Sequence, residues 1–430
     1  MTHRLHEPTI RMYYRRSMSM PSSSTGSFSE SPLKPRRFRD HLRASPLSRF
    51  VRTVGFAPLA QDDFLVAHTE RYVRDFFAGR EPLASSNWFP WNARFADSVR
   101  FTNGSLVAAV LGALEQPSQI ALSPTSGFHH ARPESGHGYC TFSGQVIAAV
   151  RAYREHGAVG AWVDLDGHFG DSIEASRRFV PELDAALPFN INPAGCHGDY
   201  LRDLSAGLAR LEAALLEGKV HYVGFAHGAD SHEWDDLGNQ VSTAEWLEAS
   251  RLVYGMIARC SASLGRPVPL VLALFGGYRK DDLSSVLELH VADLAVALST
   301  LCGHDLAYEP RVTRPRGRGW AAELEPNGPR AVDAGAAPNG EGPGEPQAGP
   351  EDDGPGEATY VDENGDVWVM WEGTPPPPGE RVPAPGFPDG HIEPELLLLA
   401  EETDDDELRA VLMSLLRRPR DARRTPRDPN

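Results

Sequence analysis

Between residues 104 and 274, short apolar runs alternate with longer stretches in which apolar residues recur at helical spacing. The runs have the length of strands, and the stretches have the length of helices. Strands that alternate with such helices are joined by crossovers, which makes the sheet parallel and covers both of its faces. The predicted strands are residues 119–122, 158–163, 220–225 and 268–274, and the predicted helices are residues 105–115, 142–156, 200–217 and 243–264.

Each of the four predicted strands is followed by a polar segment. Residues 164–171 are the most informative of these segments, because an apolar strand leads there into carboxylates, glycines and an imidazole. The carboxyl ends of parallel strands meet at one edge of a sheet, where open α/β folds bind ligands. We therefore expect one site at that edge. The other three segments are residues 123–131, 227–238 and 275–282.

Composition narrows the class of protein. The chain has 430 residues, of which 41% are hydrophobic and 23% are charged, so one large α/β domain and additional segments fit. Its formal net charge of −17 argues against general nucleic-acid binding. The four cysteines are widely separated, which argues against a disulfide framework and a thiolate zinc site. The apolar runs fall short of the roughly 20 residues that a membrane helix needs, so we expect no membrane insertion.

The N-terminal region predicts one strand, one loop and one helix before the repeating pattern begins. Residues 9–17 contain an alternating apolar pattern typical of a strand, residues 21–35 have the composition of a loop, and residues 62–77 have helical spacing. Residues 1–55 are rich in Arg and Ser, as organellar presequences can be. We favour a cytoplasmic protein over a targeted one.

The composition changes near Pro310, beyond which Pro-rich and Gly-rich stretches separate two short elements. An Asn-Gly turn indicates a β-hairpin, and acidic residues before an apolar stretch that ends in Arg indicate an amphipathic helix. A protein partner could dock on this hairpin and helix. The predicted divisions are a main domain at residues 8–312, a disordered linker at 313–357, the hairpin at 358–373, a Pro-rich linker at 374–391, the helical segment at 392–418 and a tail at 419–430.

The residues that carry chemistry fall in the four polar segments. Asp166, His168 and Asp230 supply two carboxylates and one imidazole, a set that leaves positions on zinc open for water and substrate. The adjacent His129 and His130 can act as general base and general acid. Tyr278 can donate a hydrogen bond to an oxyanion that develops opposite the metal.

Together these segments resemble the histone deacetylase family, which includes bacterial amidohydrolases that act on acetylated amines. The resemblance covers about residues 8–312 and implies the three-layer α/β arginase/deacetylase fold with a central, mostly parallel sheet. It also implies zinc-dependent hydrolysis of an acetyl or acyl amide, with acyl-lysine or a related acylated amine as the substrate. The motifs that carry it are His-His-Ala at 129–131, Gly-Tyr-Cys at 138–140, Asp-Leu-Asp-Gly-His at 164–168, Gly-Ala-Asp-Ser at 228–231 and Gly-Gly-Tyr at 276–278.

The resemblance further implies a role for each residue. A divalent metal other than zinc, such as Fe²⁺, could occupy the same ligands, and a structural potassium ion could bind to the 164–168 loop. The implied zinc ligands are Asp166, His168 and Asp230, and the implied catalytic residues are His129, His130 and Tyr278, with Asp164 orienting His129 and Asp171 orienting His130. The implied substrate-binding residues are Gly138 and Tyr139, which would line the tunnel for the acyl-lysine stem.

The chain departs from the family pattern at three places. Phe169 replaces the second histidine that usually follows the metal-binding one. The second aromatic wall of the tunnel would fall near residues 192–195, which contain no aromatic residue. The acidic residue that grips the substrate backbone would fall near residues 89–91, which contain no acid. The Phe169 position is not a zinc ligand, so we expect catalysis to survive that change. The two gaps near residues 192–195 and 89–91 put histone-like peptide specificity in doubt but leave the hydrolytic residues complete.

Alternative interpretations stay open at this point. The substrate could be an acetylpolyamine or another small acylated metabolite, or the chain could keep the fold and act as a binding scaffold through its C-terminal region. A two-metal, arginase-like site would need further Asp and His ligands. We expect His137, His197, His227 and His232 to lie at the rim or in solvent, and Cys140 to be a packed thiol.

Overall fold

The computed structural model describes residues 9–20 and 26–315, together with the backbone of residues 358–361 and 367–370. A seven-stranded sheet lies in the first two of these ranges, and each of its strand pairings is parallel. Its strands are β1 (Ile10–Tyr13), β2 (Val51–Val54), β3 (Ile120–Ser123), β4 (Gly160–Asp164), β5 (Phe189–Ile191), β6 (Tyr222–Ala226) and β7 (Leu270–Ala273). Their order across the sheet is β2-β1-β3-β7-β6-β4-β5.

Helices flank the sheet. All residues of β3, β4, β6 and β7 are buried, so both faces of the central sheet are covered. The architecture is the α/β arginase/deacetylase fold that the resemblance implies. The helices are α1 (Lys34–Ala44), α2 (Glu70–Phe77), α3 (Ala93–Glu115), α4 (Gly144–His156), α5 (Ser172–Ser176), α6 (Leu183–Ala186), α7 (His197–Leu216), α8 (Thr243–Leu264) and α9 (Leu283–Cys302).

The sheet order explains how a single site can form. Strands β3, β7, β6 and β4 are consecutive neighbours, and they are the four strands that precede the polar segments. Parallel pairing places their carboxyl ends side by side. Packing fixes the register: Trp162 of β4 is 1% exposed and lies where a side chain at Gly224 of β6 would be. The predicted edge of the sheet is therefore confirmed.

Local sequence signals set the helix ends. Helix α8 begins with a capping box, in which Ser242 accepts a hydrogen bond from the Glu245 backbone and the Glu245 carboxylate accepts one from the Ser242 N–H. It ends at Gly265, whose φ of +64° is left-handed. Helix α3 begins at Ala93, after the N-cap Asn92 and twelve residues before the predicted start at residue 105.

Two N-terminal predictions were wrong in detail. The predicted loop at residues 21–35 runs into helix α1, which the Arg-rich composition of that region hides. The predicted helix at residues 62–77 consists of a 3-10 turn at Gln61–Val66 followed by α2, since Thr69 accepts a hydrogen bond from the Tyr72 N–H and starts a new helix.

Helix α9 qualifies by length and composition as a membrane span, contrary to our expectation that no such segment exists. It is the one such helix among the described residues, and 67% of its most apolar window is buried inside the protein. Core helices of soluble proteins pass the same test, so this observation is weak evidence for a membrane.

The chain divides into two compact units, Met1–Pro326 and Asn327–Asn430. In the second unit, β8 (Ala358–Val361) and β9 (Val367–Met370) form the antiparallel pair that the sequence predicts. The intervening turn, the Pro-rich linker at 374–391, the helical segment at 392–418 and the tail at 419–430 lie outside the described residues, as does most of the linker at 313–357. The predicted domain boundaries therefore stay predictions.

Candidate functional site

Three predicted metal ligands converge at the carboxyl ends of β4 and β6. Asp166 and His168 follow β4, and Asp230 follows β6. One ligand atom from each residue lies within 4.8 Å of the other two, and no other such group of three occurs among the described residues. His168 Nδ1 lies 3.1 Å from Asp166 Oδ1 and 2.9 Å from Asp230 Oδ2.

These separations test whether a metal fits. Ligand atoms at about 2.0–2.2 Å from one tetrahedral zinc ion lie about 3.3 Å apart, close to the two observed distances. The donor set of one nitrogen and two oxygens also suits zinc. The residues therefore fit a single divalent metal ion.

Backbone hydrogen bonds fix the two carboxylates. Gly167 N–H donates to Asp230 Oδ1 at 3.0 Å, and His168 N–H donates to Asp166 Oδ1 at 3.0 Å. Gly276 packs directly against the Asp230 carboxylate with a φ of +41°, and a Cβ atom there would overlap the carboxylate. The segment that follows β7 thus lies directly against the Asp230 carboxylate.

Electrostatics show that the cluster attracts positive charge. Hydrogen bonds to Asp166 and Asp230 raise the pKa of His168 to about 11. Burial, together with the nearby Asp166 carboxylate, raises the pKa of Asp230 to about 6. A proton on His168 offsets only part of the charge of the two carboxylates, and a divalent cation would compensate both.

The tandem histidines lie beside this cluster. Their ring centroids are 4.1 Å apart, and His129 Nε2 lies 3.6 Å from Asp166 Oδ1. Each histidine has its own carboxylate: His129 Nδ1 is 3.0 Å from Asp164 Oδ2, and His130 Nδ1 is 3.1 Å from Asp171 Oδ1. The structure thus forms both histidine–carboxylate pairs that the resemblance implies. A carboxylate on Nδ1 selects the tautomer and leaves Nε2 to face the site.

The two histidines differ in charge. Burial opposes a charge on His129, but the carboxylates of Asp166 and Asp164 outweigh it and raise the pKa of His129 to about 9. Burial and the neighbouring His129 lower the pKa of His130 below its ordinary value. His130 is therefore neutral near pH 7 and can accept a proton.

Aromatic and glycine residues complete the surroundings of the cluster. The ring of Tyr278 lies 6.2 Å from that of His168 and 5.9 Å from that of Tyr139. Gly138, with a φ of +51°, passes so close to His130 that a Cβ atom would lie 2.8 Å from the imidazole. Tyr139 itself has a φ of +61°, an uncommon conformation for a residue with a side chain. Every predicted site residue therefore lies at this edge of the sheet.

The rim contains two exposed aromatic side chains. Trp88 is 47% exposed and lies edge-on to Tyr139 at 5.4 Å, and Phe169 is 63% exposed. Phe169 precedes Gly170, whose N–H donates to Asn192 Oδ1 at 2.8 Å. An exposed aromatic residue thus lies beside the 192–195 segment, where the sequence lacks the second tunnel wall.

The prediction for the remaining histidines was wrong at two positions. His227 and His232 are each 2% exposed. His227 stacks on Trp246 with ring centroids 3.5 Å apart, and His232 Nε2 lies 2.7 Å from Thr243 Oγ1. Helix α8, which supplies both contacts, covers the loop that contains them.

The cysteines agree with the sequence. Cys140 is buried, as expected for a packed thiol, and burial raises its pKa well above its ordinary value. All four cysteines are free.

Sequence reasoning missed two charged residues next to the site. Lys34 is 1% exposed and its ammonium donates to the carbonyl oxygens of Phe275 and Gly276. Burial lowers its pKa to about 8 despite the nearby Asp230. Asp235 is 8% exposed and accepts the Tyr278 N–H. Asp235 lies in one of the polar segments, but only the folded chain shows that its partner is the Tyr278 N–H. No sequence pattern indicates that Lys34 lies near the site.

Comparison with known proteins agrees with this geometry. Residues 29–182 match the family model described as the histone deacetylase domain. This part of the chain is therefore similar to the histone deacetylase domain. The matched range contains the tandem histidines, their carboxylates and two of the three candidate metal ligands.

Curated proteins similar to this chain are distant in sequence. The chain is 25% identical over 204 residues to histone deacetylase HDAC1 of Drosophila melanogaster, which covers 43% of this chain and 38% of the relative. It is 23% identical over 227 residues to probable histone deacetylase 1-A of Xenopus laevis, covering 48% of this chain and 44% of the relative. The chain thus spans less than half the length of these relatives.

A solved structure supports the fold. The HDA15 HD domain is similar with a TM-score of 0.53 and 16% sequence identity, over 70% of this chain and 91% of that domain. At this identity, the likeness bears on the arrangement of strands and helices alone.

Proposed function

We propose that the protein is a metal-dependent deacetylase that hydrolyses the amide of an acylated amine. One observation carries the proposal: the metal-ligand cluster and two histidine–carboxylate pairs lie together at the carboxyl edge of four neighbouring strands. Neither part alone would indicate amide hydrolysis, but together they supply a metal site and groups that transfer protons.

Asp166, His168 and Asp230 would hold the metal ion, and zinc suits this donor set best. When bound, zinc acts as a Lewis acid that polarises a carbonyl group and lowers the pKa of water. Fe²⁺ is a further candidate, and the potassium ion near the 164–168 loop stays a prediction.

The remaining residues divide the work of proton transfer and charge stabilisation. His130, neutral near pH 7, accepts the proton that water loses as it attacks the amide carbon. Asp171 then stabilises the resulting imidazolium through the 3.1 Å contact with Nδ1. Protonated His129 stands 4.1 Å away, ring to ring, and the pair returns a proton to the leaving amine.

Tyr278 would donate its hydroxyl hydrogen to the developing oxyanion. Burial raises the pKa of Tyr278 well above its ordinary value, so the hydroxyl keeps its proton at all pH values of interest. Gly138 and Tyr139 would border the acyl-bearing arm of the substrate, with Tyr139 at 5.9 Å from the Tyr278 ring.

The rim favours a slender apolar arm, either the lysine stem of an acyl-lysine or the alkyl chain of an acylated polyamine. Trp88 and Phe169 expose aromatic surface there, which would cover methylene groups in preference to a polar peptide backbone.

The test compares acetate release from an acetyl-lysine peptide and from an acetylated polyamine, using zinc-loaded protein. His130→Ala and Tyr278→Phe should each lower kcat by about 100-fold or more while zinc content is unchanged. Full turnover in zinc-loaded His130→Ala would refute the mechanism.

A further inference from the structure

The segment that carries Tyr278 is held from outside by two consecutive carboxylates. Tyr278 N–H donates to Asp235 Oδ2 at 2.7 Å, and Lys280 N–H donates to Asp236 Oδ2 at 2.9 Å. The carboxylates belong to the segment after β6, whereas the amides belong to the segment after β7. The segment that supplies Asp230 therefore also fixes the position of the Tyr278 backbone.

Asp235 uses both of its carboxylate oxygens. Oδ2 accepts the Tyr278 N–H, and Oδ1 accepts the Leu237 N–H at 3.0 Å. The residue is 8% exposed, so water has little access to replace either bond. A carboxylate offers two acceptor oxygens, while an amide offers one oxygen and a donor. Only a carboxylate satisfies both backbone donors at this position.

The segment around Tyr278 needs such support because its own residues do not restrict it. Gly276 and Gly277 have φ values of +41° and +101°, conformations that glycine adopts freely but that it does not favour over others. The Lys34 ammonium donates to the Phe275 and Gly276 carbonyl oxygens of the same segment. Carbonyl groups thus face a cation and amide groups face carboxylates.

We propose that Asp235 is a positioning residue that sets the location of the Tyr278 hydroxyl through the Tyr278 backbone N–H. This inference rests on the proposed role of Tyr278 in catalysis. Asp235 does not contact the substrate in this proposal, and it acts on turnover alone. A misplacement of about 1 Å in a catalytic group can cost about 100-fold in rate, so the effect is measurable.

The experiment uses the full-length, zinc-loaded protein and an acetyl-lysine peptide. Asp235→Asn should lower kcat by about 10- to 100-fold, with KM changed less than about threefold and zinc content unchanged. Asp236→Asn is the matched control, because a single amide oxygen can still accept the Lys280 N–H, and its kcat should stay within about twofold of the wild type.

A double-mutant cycle separates positioning from general damage. If Asp235 acts through Tyr278, adding Asp235→Asn to Tyr278→Phe should lower kcat no further. If the two substitutions lowered kcat by independent factors that multiply in the double mutant, or if kcat were unchanged in Asp235→Asn, the proposal would be overturned. Should Tyr278→Phe itself keep full activity, the proposed function of Tyr278 fails first, which is a distinguishable result.

Hydrogen exchange in the wild-type protein tests the contact even if Asp235→Asn does not fold. The amide of Tyr278 should exchange at least about tenfold more slowly than an unprotected amide, because its hydrogen bond is buried. Exchange at the unprotected rate would overturn the inference without reference to catalysis.

Discussion

His68 should make the protein lose stability in mild acid, and replacing it should remove that loss. Its Nδ1 lies 2.9 Å from the Arg132 carbonyl oxygen, and its Nε2 accepts the Ser143 N–H at 2.8 Å. Nδ1–H donates to the carbonyl in either charge state, but Nε2 can accept the Ser143 N–H only in the neutral ring, so the two bonds together require neutral His68. Burial lowers the pKa of His68 to about 3. The imidazole links the segment after the tandem histidines to the start of α4.

The sign and size follow from linkage. A pKa of about 3 in the folded chain and about 6.5 in the unfolded chain means that only the unfolded chain binds the proton between these values. The stability is complete above about pH 6.5 and is lost as the pH falls towards 3. Because pH 5 lies about 1.5 units below the pKa of histidine in the unfolded chain, the free energy of unfolding at pH 5 is lower by about 2 kcal/mol.

The assay is urea unfolding at pH 7.5 and pH 5 for the wild type and for His68→Gln, whose amide keeps one donor and one acceptor but does not titrate. Between these pH values the wild type should lose about 2 kcal/mol more than His68→Gln. The exposed His156 at the end of α4 provides the control, and His156→Gln should follow the wild type. Parallel losses in wild type and His68→Gln would refute the reasoning.

Three further predictions concern the site. Asp171→Asn should lower kcat about 10- to 100-fold at unchanged zinc content, because His130 loses the carboxylate on its Nδ1. A steady-state kcat equal to that of the wild type would contradict this prediction. Gly276→Ala should weaken zinc binding at least about tenfold in a chelator competition, since a Cβ atom would overlap the Asp230 carboxylate. If the variant bound zinc with wild-type affinity, the segment would be free to move away from Asp230. Phe169→His should raise KM for an acetyl-lysine peptide about three- to tenfold with little change in kcat, because under the proposed function the exposed ring would cover the substrate arm and not the amide. An unchanged KM would place Phe169 outside the binding site.

The sequence predicted the centre of the fold well because the signal there is local. Strands β3, β4, β6 and β7 are buried on both faces, so each is a continuous apolar run that stands out between helices. The helix predicted at residues 243–264 has the bounds of α8, whose capping box and terminal glycine can be read directly.

The edges of the sheet were missed for the opposite reason. Strand β2 at one edge has two exposed residues among four, and β5 at the other edge has three residues in all. Neither is long or apolar enough to be distinguished from a loop. Helix α1 was missed because its buried positions Phe38 and Leu42 stand among arginines.

The same contrast holds for the site. The metal ligands were predicted from the residue types in the polar segments, and both histidine–carboxylate pairs were implied by the family resemblance. The structure brings their side chains together. The burial of His227 and the partner of Asp235 depend on which elements pack against those loops. Such contacts join residues far apart in the chain, 43 positions in the case of Asp235 and Tyr278, and leave no periodic pattern.

The most direct test of the account is a zinc titration of metal-depleted protein, with acetate release from an acetyl-lysine peptide as the readout. We predict that activity rises linearly with zinc and saturates at one zinc ion per chain, and that Asp230→Ala shows no such rise. Activity that is independent of zinc, or an Asp230→Ala titration that matches the wild type, would contradict the claim that this cluster is the catalytic metal centre.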